Sequence, residues 1–322
     1  MNRLLLHRRM LLKAAAAAAA APFAYPALPR AALAQQGLVM TAYDPNARLD
    51  IDVKEVEYRR SPSRPLIARV YAPKGDGPFP TLLDLHGGAW NNKDRKANEP
   101  MDRALAASGV LVIAVDLTLA PEAPYPASLQ DANLAVRWAK AHAAQWKGDA
   151  SRLGVLGSST GGHLAELLAM RPADARYNAL PLDEARGVDA RIAYVATRSP
   201  ISDPFARYQQ AERMKRTEMM DKTKKYFMPW EAIHEANPQE ILDRRERVSL
   251  PPLLIMQGSL DDNVLPALQQ KFAATYRAAG GDCRLEIFEG CEHEWVAKPG
   301  PQTERAHEMV KAFIREMLSR PA

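Results

Sequence analysis

A short stretch near the middle of the chain, residues 152–164, combines an apolar run, a glycine-flanked serine and a helix start. Its pattern is Gly-x-Ser-x-Gly, which Gly157, Ser159 and Gly161 fill. The glycines are needed because a sharp strand-to-helix turn strains the serine backbone, and side chains two residues to either side would collide. The pattern therefore predicts a nucleophile elbow that lifts the Ser159 hydroxyl clear of a sheet. The helix that follows, residues 162 to about 170, would point its unpaired N–H groups at the same place.

Short apolar runs alternate with helical patterns along most of the chain, which indicates repeated β-α-β units. Two early segments instead alternate apolar and polar side chains, which predicts an antiparallel pair of strands. We therefore expect an α/β fold with a mostly parallel, doubly wound sheet of eight strands and helices on both faces. Its ligand site would lie beyond the carboxyl ends of the strands. The predicted strands cover residues 49–53, 66–71, 81–86, 110–115, the run before Ser159, 192–195, 253–256 and 285–288, and the predicted helices cover residues 100–108, 128–146, 162–170, 265–279 and 303–319.

One segment, residues 199–248, breaks this alternation and is rich in charged residues and methionines. We expect a helical insertion over the site, in which Met and Trp supply an adaptable apolar underside while the charges face water. The alternative is a surface excursion without contact to substrate. The side chains expected on the underside are Met214, Met219, Met220, Met228 and Trp230.

A serine hydroxyl is a poor nucleophile at neutral pH, so Ser159 needs a neutral imidazole to take its proton and a carboxylate to orient that imidazole. Asp261 and Asp262 follow the predicted strand 253–256, and His293 follows the predicted strand 285–288. Because parallel strands end at one edge of the sheet, we predict a catalytic triad of Ser159, Asp261 and His293. Asp262 is the alternative acid.

The other histidines occupy less suitable places. His163 lies inside the elbow helix, where packing or local hydrogen bonding is expected, and His86 ends a strand and is expected to shape the next loop. The histidines in charged helical stretches, expected to be solvated, are His142, His234 and His307.

The triad also requires donors placed where the oxygen of a tetrahedral intermediate forms. Glycines that follow a buried strand let backbone N–H groups approach that oxygen closely. We predict an oxyanion hole from the N–H groups of Gly88 and Ala89, with Gly87 as a further candidate and Thr160 from the elbow.

The first 34 residues have the pattern of a bacterial export signal. They contain the paired arginines Arg8 and Arg9, an alanine run, and a small-x-small cleavage site at residues 32–34, and they resemble the twin-arginine type. The alanine run is too weakly apolar to serve as a membrane anchor. This segment holds five of the 43 basic residues and no acidic one, so the remainder has equal numbers of both. We therefore expect a periplasmic or secreted protein, the twin-arginine export machinery as a partner, and no nucleic-acid partner.

The two cysteines and the acidic run at residues 261–263 predict neither a disulfide nor a bound metal ion. Cys283 opens a predicted strand that separates it from Cys291 by more than a disulfide can span, so two free thiols are expected. The Asp-Asp-Asn run at residues 261–263 lacks the regular ligand spacing of a calcium loop. We expect neither a metal nor a cofactor.

Several motifs together resemble the hormone-sensitive-lipase-like carboxylesterases of the α/β-hydrolase fold. They are His-Gly-Gly-Ala-Trp at residues 86–90, Leu-Ala-Pro-Glu at 119–122, Gly-Ser-Ser-Thr-Gly-Gly at 157–162 and Gly-x-x-Asp-x-x-Val at 258–264. The last motif favours Asp261 over Asp262. Ser158 and Thr160 stand where the family has Asp and Ala, and residues 86–90 are closer to the His-Gly-Gly-x-Trp motif of kynurenine-formamidase-like hydrolases. The N-terminal helical cap of that family is expected to be absent, so a lid would come mainly from residues 199–248.

This resemblance implies a domain over residues 35–322 with a small-molecule ester as substrate. We expect an exported serine esterase that acts on small or aromatic carboxylic esters through an acyl-enzyme. The alternatives are an arylformamidase-like or other amide hydrolase with the same triad, and a hydrolase-fold binding protein without activity.

Overall fold

The computed structural model describes residues 43–120 and 122–321, so the predicted export signal, residues 1–34, lies outside the described residues. Eight strands and nine α-helices alternate along the described part. The strands are β1 (Ile51–Arg60), β2 (Pro65–Pro73), β3 (Phe79–Leu85), β4 (Leu111–Val115), β5 (Gly148–Ser158), β6 (Tyr194–Arg198), β7 (Leu253–Gly258) and β8 (Cys283–Phe288). The helices are α1 (Glu99–Ala107), α2 (Ala127–His142), α3 (Thr160–Met170), α4 (Pro204–Arg213), α5 (Thr217–Tyr226), α6 (Ala232–Glu235), α7 (Pro238–Asp243), α8 (Pro266–Ala278) and α9 (Pro301–Ser319).

All eight strands form one sheet in the order β1-β2-β4-β3-β5-β6-β7-β8. β1 pairs antiparallel with β2, and β2 pairs antiparallel with β4. Every other neighbouring pair is parallel. The expected eight-stranded, mostly parallel sheet is therefore confirmed, and the strands from β3 to β8 end at one edge, where a ligand site can form.

Two apolar layers cover the sheet, because successive side chains of a strand point to opposite faces. On one face, Leu83 and Val155 pack in a cluster with residues of α2, α3 and α8. On the other face, Leu82 and Leu156 pack in a second cluster with residues of α1 and α9. Burial of each such side chain stabilises the fold by roughly 1.5–3 kcal/mol. The two layers together therefore hold in place the sheet edge that carries the loops described below.

Several strands extend beyond the apolar runs that predict them; β1 runs on to Arg60, and two shifts, those of β5 and β6, concern strands next to the site. β5 begins at Gly148, four residues before the predicted start, and β6 covers Tyr194–Arg198 instead of residues 192–195. The second shift arises because β6 ends in Thr197 and Arg198, polar residues that a hydrophobic pattern excludes but that are buried here. The last residue of β6 therefore lies at the edge of the sheet where the strands end.

The predicted insertion, residues 199–248, holds α4 to α7 between β6 and β7. Its apolar underside agrees with the expectation only in part. Met220 and Trp230 are partly buried against the main core cluster, whereas Met214 and Met228 are exposed by 47% and 58%. Tyr226, Phe227 and Ile233 are instead fully or almost fully buried and belong to the main core cluster. Bulky rings bury more apolar area than methionine, so they form the contact with the sheet domain.

Candidate active site

The turn between β5 and α3 is a strained strand-to-helix elbow. Ser159 has φ 52° and ψ −113°, a conformation that non-glycine residues rarely adopt. A Cβ at Gly157 would lie 2.6 Å from the carbonyl oxygen of Gly161, and one at Gly161 would overlap the carbonyl oxygen of Leu85. The two flanking glycines are therefore required by close backbone contacts, as the sequence pattern predicts.

The structure brings the three predicted catalytic side chains into one hydrogen-bonded chain. His293 Nε2 lies 3.0 Å from Ser159 Oγ, and His293 Nδ1 lies 2.8 Å from Asp261 Oδ2. A carboxylate only accepts hydrogen bonds, so Nδ1 carries the proton and Nε2 of the neutral ring can accept the serine proton. The three residues are between 1% and 8% exposed, and this burial strengthens the electrostatic interactions between them.

Asp261 is held by its own loop. Its Oδ1 accepts the backbone N–H groups of Asn263 and Val264, at 3.0 and 2.8 Å, and its Oδ2 accepts Gln257 Nε2 at 3.0 Å. Burial alone would raise the pKa of Asp261, but the hydrogen bonds from His293 and Val264 outweigh it and lower the pKa. The carboxylate is therefore ionised and fixed at neutral pH.

Asp262 points away from this chain of hydrogen bonds. Its side chain is 67% exposed and forms an ion pair with Arg216, the residue before α5. It is not in contact with His293, so the geometry favours Asp261 as the acid and gives Asp262 a surface position.

The loop after β3 passes directly beside the elbow. A Cβ at Gly87 would lie 3.2 Å from Ser159 Cβ, and Gly88, Ala89 and Trp90 have φ values of 116°, 53° and 59°. Trp90 N donates to Thr160 Oγ1 at 3.4 Å, which joins this loop to the start of α3. Within the described residues, the N–H groups of Gly88, Ala89 and Thr160 donate no backbone hydrogen bond, so they can serve an incoming oxygen.

A family model described as alpha/beta hydrolase fold matches residues 82–297, which is more than half of the chain. The chain belongs to the α/β-hydrolase family. The fold class predicted from the sequence is thus confirmed, and so is the resemblance.

Curated relatives of this α/β hydrolase carry esterase names. Carboxylesterase NlhH of Mycobacterium tuberculosis (strain ATCC 25618 / H37Rv) is 38% identical over 97 residues, which are 30% of this chain and 30% of the relative. Esterase LipC of the same strain is 26% identical over 254 residues, which are 74% of this chain and 59% of the relative. Hormone-sensitive lipase of Ictidomys tridecemlineatus is 34% identical over 93 residues, 29% of this chain and 12% of the relative. The α/β hydrolase therefore spans less than two thirds of the length of each of these relatives.

Solved structures give the same fold. Esterase 2 of Thermogutta terrifontis, phosphonylated by sarin, has a TM-score of 0.68 at 20% identity and covers 82% of this chain and 95% of that one. A truncated carbohydrate esterase from gut microbiota also has a TM-score of 0.68, at 19% identity, with coverage of 85% and 98%. At 19–20% sequence identity, these similarities show that the fold is shared.

An aromatic cluster joins the insertion to the loop after β3 in this α/β hydrolase. Trp90 stacks on Tyr226 with ring centroids 4.7 Å apart and planes 6° apart, and it also packs edge-on against Phe227. Trp90 Nε1 donates to His163 Nδ1 at 3.3 Å, and His163 Nε2 donates to the carbonyl oxygen of Ala236 at 2.7 Å. Burial lowers the pKa of His163 to about 4, so the ring stays neutral in this role. The sequence pattern missed this cluster because its members are far apart along the chain.

The remaining histidines differ in part from the expectation. His86 Nδ1 lies 2.7 Å from the carbonyl oxygen of Gly87, so it shapes the loop as expected. His142, His234 and His307 are half-buried rather than solvated. His142 stacks on Trp138, one turn earlier in α2. His234 of α6 lies 2.9 Å from a carboxylate oxygen of Glu240 in the next helix, α7. None of these rings reaches the Ser159 hydroxyl.

The structure has Cys283 and Cys291 as buried, free thiols, as expected. Among residues 43–120 and 122–321, no group of three His, Cys, Asp or Glu side chains is arranged to hold a metal ion. Every helix in the same residues is too short or too polar to cross a bilayer.

Proposed function

We propose that this α/β hydrolase is a serine esterase that cleaves small or aromatic carboxylic esters through an acyl-enzyme. The observation that carries the proposal is the pair of hydrogen bonds from Ser159 Oγ to His293 Nε2 and from His293 Nδ1 to Asp261 Oδ2. The esterase names of the curated relatives support the same class of reaction.

In the acylation step, Ser159 Oγ attacks the ester carbonyl carbon while its proton moves to His293 Nε2. Asp261 stabilises the imidazolium that forms and keeps the ring in the productive tautomer. The carbonyl electron pair moves to oxygen, where the N–H groups of Gly88, Ala89 and Thr160 would bind the charge. Because Gly87 has no side chain, this loop can approach Ser159 closely.

Collapse of the tetrahedral intermediate breaks the bond to the leaving alcohol, which takes the proton from His293 Nε2. A water molecule then gives its proton to His293 and attacks the acyl-enzyme carbonyl carbon. A second collapse returns the proton to Ser159 Oγ and releases the carboxylic acid. The reaction is a net addition of water and needs no cofactor.

A second candidate is hydrolysis of an N-formyl aromatic amine by the same residues. The position of Trp90 favours it, because His-Gly-Gly-x-Trp at residues 86–90 is similar to the motif of kynurenine-formamidase-like hydrolases. The leaving amine would take the proton from His293 as the alcohol does.

One experiment separates these candidates. A chromogenic aryl-ester series from acetate to decanoate and an N-formyl aromatic amine are assayed with the wild-type protein and the Ser159→Ala variant. We expect serine-dependent turnover that is highest on the short esters, with a loss of at least about 10⁴-fold in kcat for the variant. A preference for the formamide would favour the second candidate, and full activity of Ser159→Ala would exclude both. A folded protein without turnover or labelling by a serine-directed probe would favour a binding protein.

We also propose that residues 1–34 direct export to the periplasm or beyond by the twin-arginine route. The paired arginines, the alanine run and the small-x-small site support it. The test expresses the full chain with Arg8→Lys and Arg9→Lys, and the matched control carries Arg3→Lys and Arg30→Lys. We expect the first pair of changes to retain the protein inside the cell and the second to leave export intact. Unchanged export of both would contradict the route.

A further inference from the structure

Arg198, the last residue of β6, contacts both ends of the Ser159–His293 pair. Its backbone carbonyl oxygen accepts the N–H of Ser159 at 2.8 Å. Its guanidinium Nη1 donates to the backbone carbonyl oxygen of His293 at 2.5 Å. One residue therefore connects the strained elbow to the loop that carries the imidazole.

The guanidinium group of Arg198 is buried and has few hydrogen-bond partners. Arg198 is 4% exposed, and its Nε has no hydrogen-bond partner among the described residues. Burial lowers the pKa of Arg198, and the nearby carboxylates of Glu294 and Asp261 oppose that effect. A buried charge with so few partners costs desolvation free energy, and an apolar side chain of similar size is often as stable or more stable. Stability alone is therefore a weak explanation for an arginine here.

The loop of His293 is also held on either side of the imidazole. After it, Glu294 forms an ion pair with Lys93, and Trp295 stacks on Phe288. After β8, the backbone bonds Cys291 N to Phe288 O at 3.3 Å and Leu260 N to Cys291 O at 2.9 Å hold the first part of the loop. The carbonyl oxygen of His293 itself is held by Arg198. A small displacement of this loop would lengthen the 3.0 Å contact between Ser159 Oγ and His293 Nε2.

We propose that Arg198 is a positioning residue, which fixes the His293 loop relative to the elbow so that Ser159 Oγ and His293 Nε2 stay within proton-transfer distance. The inference rests on the proposed serine mechanism. Among the described residues, the Arg198 side chain forms no hydrogen bond with Ser159 Oγ, and its hydrogen bond goes to the backbone of His293. Its removal affects kcat more than KM for this reason.

The test compares Arg198→Met, which keeps the length and removes the donors, with Arg198→Lys, which restores one donor and the charge. Arg137→Met is the matched control, because Arg137 is also buried and donates to a backbone carbonyl oxygen, that of Leu180 at 2.7 Å, in a place remote from the triad. Each folded variant is assayed for ester hydrolysis and for the rate of Ser159 labelling by a fluorophosphonate, which requires no particular ester.

We expect Arg198→Met to lower kcat and the labelling rate by about 100-fold with KM changed by less than about threefold, since a misplacement near 1 Å has this effect. Arg198→Lys should recover to within about tenfold of wild type, and Arg137→Met should stay within about twofold of it in both assays. A folded Arg198→Met with wild-type kcat and labelling rate would overturn the proposal, and so would a change confined to KM. If Arg198→Met does not fold, Arg198→Gln takes its place, because its shorter, uncharged side chain does not reach the carbonyl oxygen of His293. A wild-type labelling rate of folded Arg198→Gln would then overturn the proposal.

The labelling assay also separates this inference from the proposed ester substrate. Wild-type labelling without hydrolysis of any ester would count against the esterase proposal, while slower labelling of Arg198→Met would still support the positioning role. Failure of wild-type Ser159 to react with the probe would overturn both.

Discussion

The loops at the strand ends and the insertion, residues 199–248, are built by different interactions. Ser159, Asp261 and His293 are at most 8% exposed, and short hydrogen bonds hold them to one another and to their own backbone. The insertion contacts the rest of the chain in three ways. It uses buried rings such as Tyr226, partly buried hydrogen bonds such as that of Arg207 with Asn263, and surface ion pairs such as that of Arg216 with Asp262. The predicted catalytic side chains thus lie on the loops at the strand ends and outside the insertion.

Adjacent residues differ sharply in their surroundings, both at the border of the insertion and within it. Asp261 belongs to the buried hydrogen-bond chain, while Asp262 reaches out to the insertion. Phe227 is buried and Met228 is 58% exposed. Such neighbours provide matched pairs of variants, because their position along the chain is almost the same and their surroundings differ.

The largest contrast is expected in the acid loop. Asp261→Asn should lower kcat by about 10⁴-fold, because an amide favours the wrong imidazole tautomer and cannot stabilise the imidazolium. Asp262→Asn should stay within about threefold of wild type, since it removes only an exposed ion pair. Steady-state hydrolysis of the preferred aryl ester measures both. Equal losses of kcat in the two variants would contradict the assignment of Asp261 to the catalytic chain and of Asp262 to a surface ion pair.

The next contrast concerns how the insertion is anchored. Phe227→Ala should reduce the free energy of unfolding by about 3–5 kcal/mol, because it leaves a cavity beside Trp90 and Tyr226. Met228→Ala should change it by less than about 0.5 kcal/mol. Urea unfolding followed by tryptophan fluorescence gives both values. A cost for Phe227→Ala as small as that of Met228→Ala would mean that the ion pairs, and not the rings, anchor the insertion.

The smallest effect is expected for an ion pair of the insertion. Burial alone would raise the pKa of Glu246, but hydrogen bonds from Arg244 and Arg171 outweigh it and lower the pKa. A lowered carboxyl pKa stabilises the fold above the ordinary value of 4.5, and this stabilisation is lost as the pH falls through the lowered pKa. Glu246→Gln should therefore cost about 0.5–1 kcal/mol at pH 7, a value that allows for solvent screening, and less near pH 3, which lies below the ordinary value of 4.5.

Urea unfolding of wild type and Glu246→Gln at both pH values tests this dependence. Glu184→Gln, at an exposed glutamate of a short 3₁₀ turn, is the control. A cost for Glu246→Gln that is the same at both pH values would argue against a charge interaction.

The elbow could be predicted from the sequence because its requirements are local. Glycines at positions 157 and 161 are forced by backbone contacts within the turn and with the neighbouring strand β3. The order of strands, together with the rule that parallel strands end at one edge, was enough to bring Asp261 and His293 to Ser159. These positions follow from the fold.

Other features depend on contacts between distant residues and could not be predicted in this way. A hydrophobic pattern ends β6 at Val195, although the strand continues to Arg198, because the buried arginine is matched by the carbonyl oxygen of His293. Of the side chains expected on the underside of the insertion, Met220 and Trp230 pack against the core. The fully buried contact with Trp90 comes instead from Tyr226 and Phe227. Such pairings are set by tertiary structure, which composition and spacing do not encode directly.

The account depends above all on Ser159 and His293 acting as one catalytic unit. The most direct test measures kcat/KM on the preferred aryl ester for Ser159→Ala, His293→Ala and the double variant. We predict that each single change lowers kcat/KM by at least about 10⁴-fold and that the double variant is at most about threefold worse than the poorer single one. A double variant whose loss equals the product of the single losses, or a single variant with wild-type activity, would contradict the account.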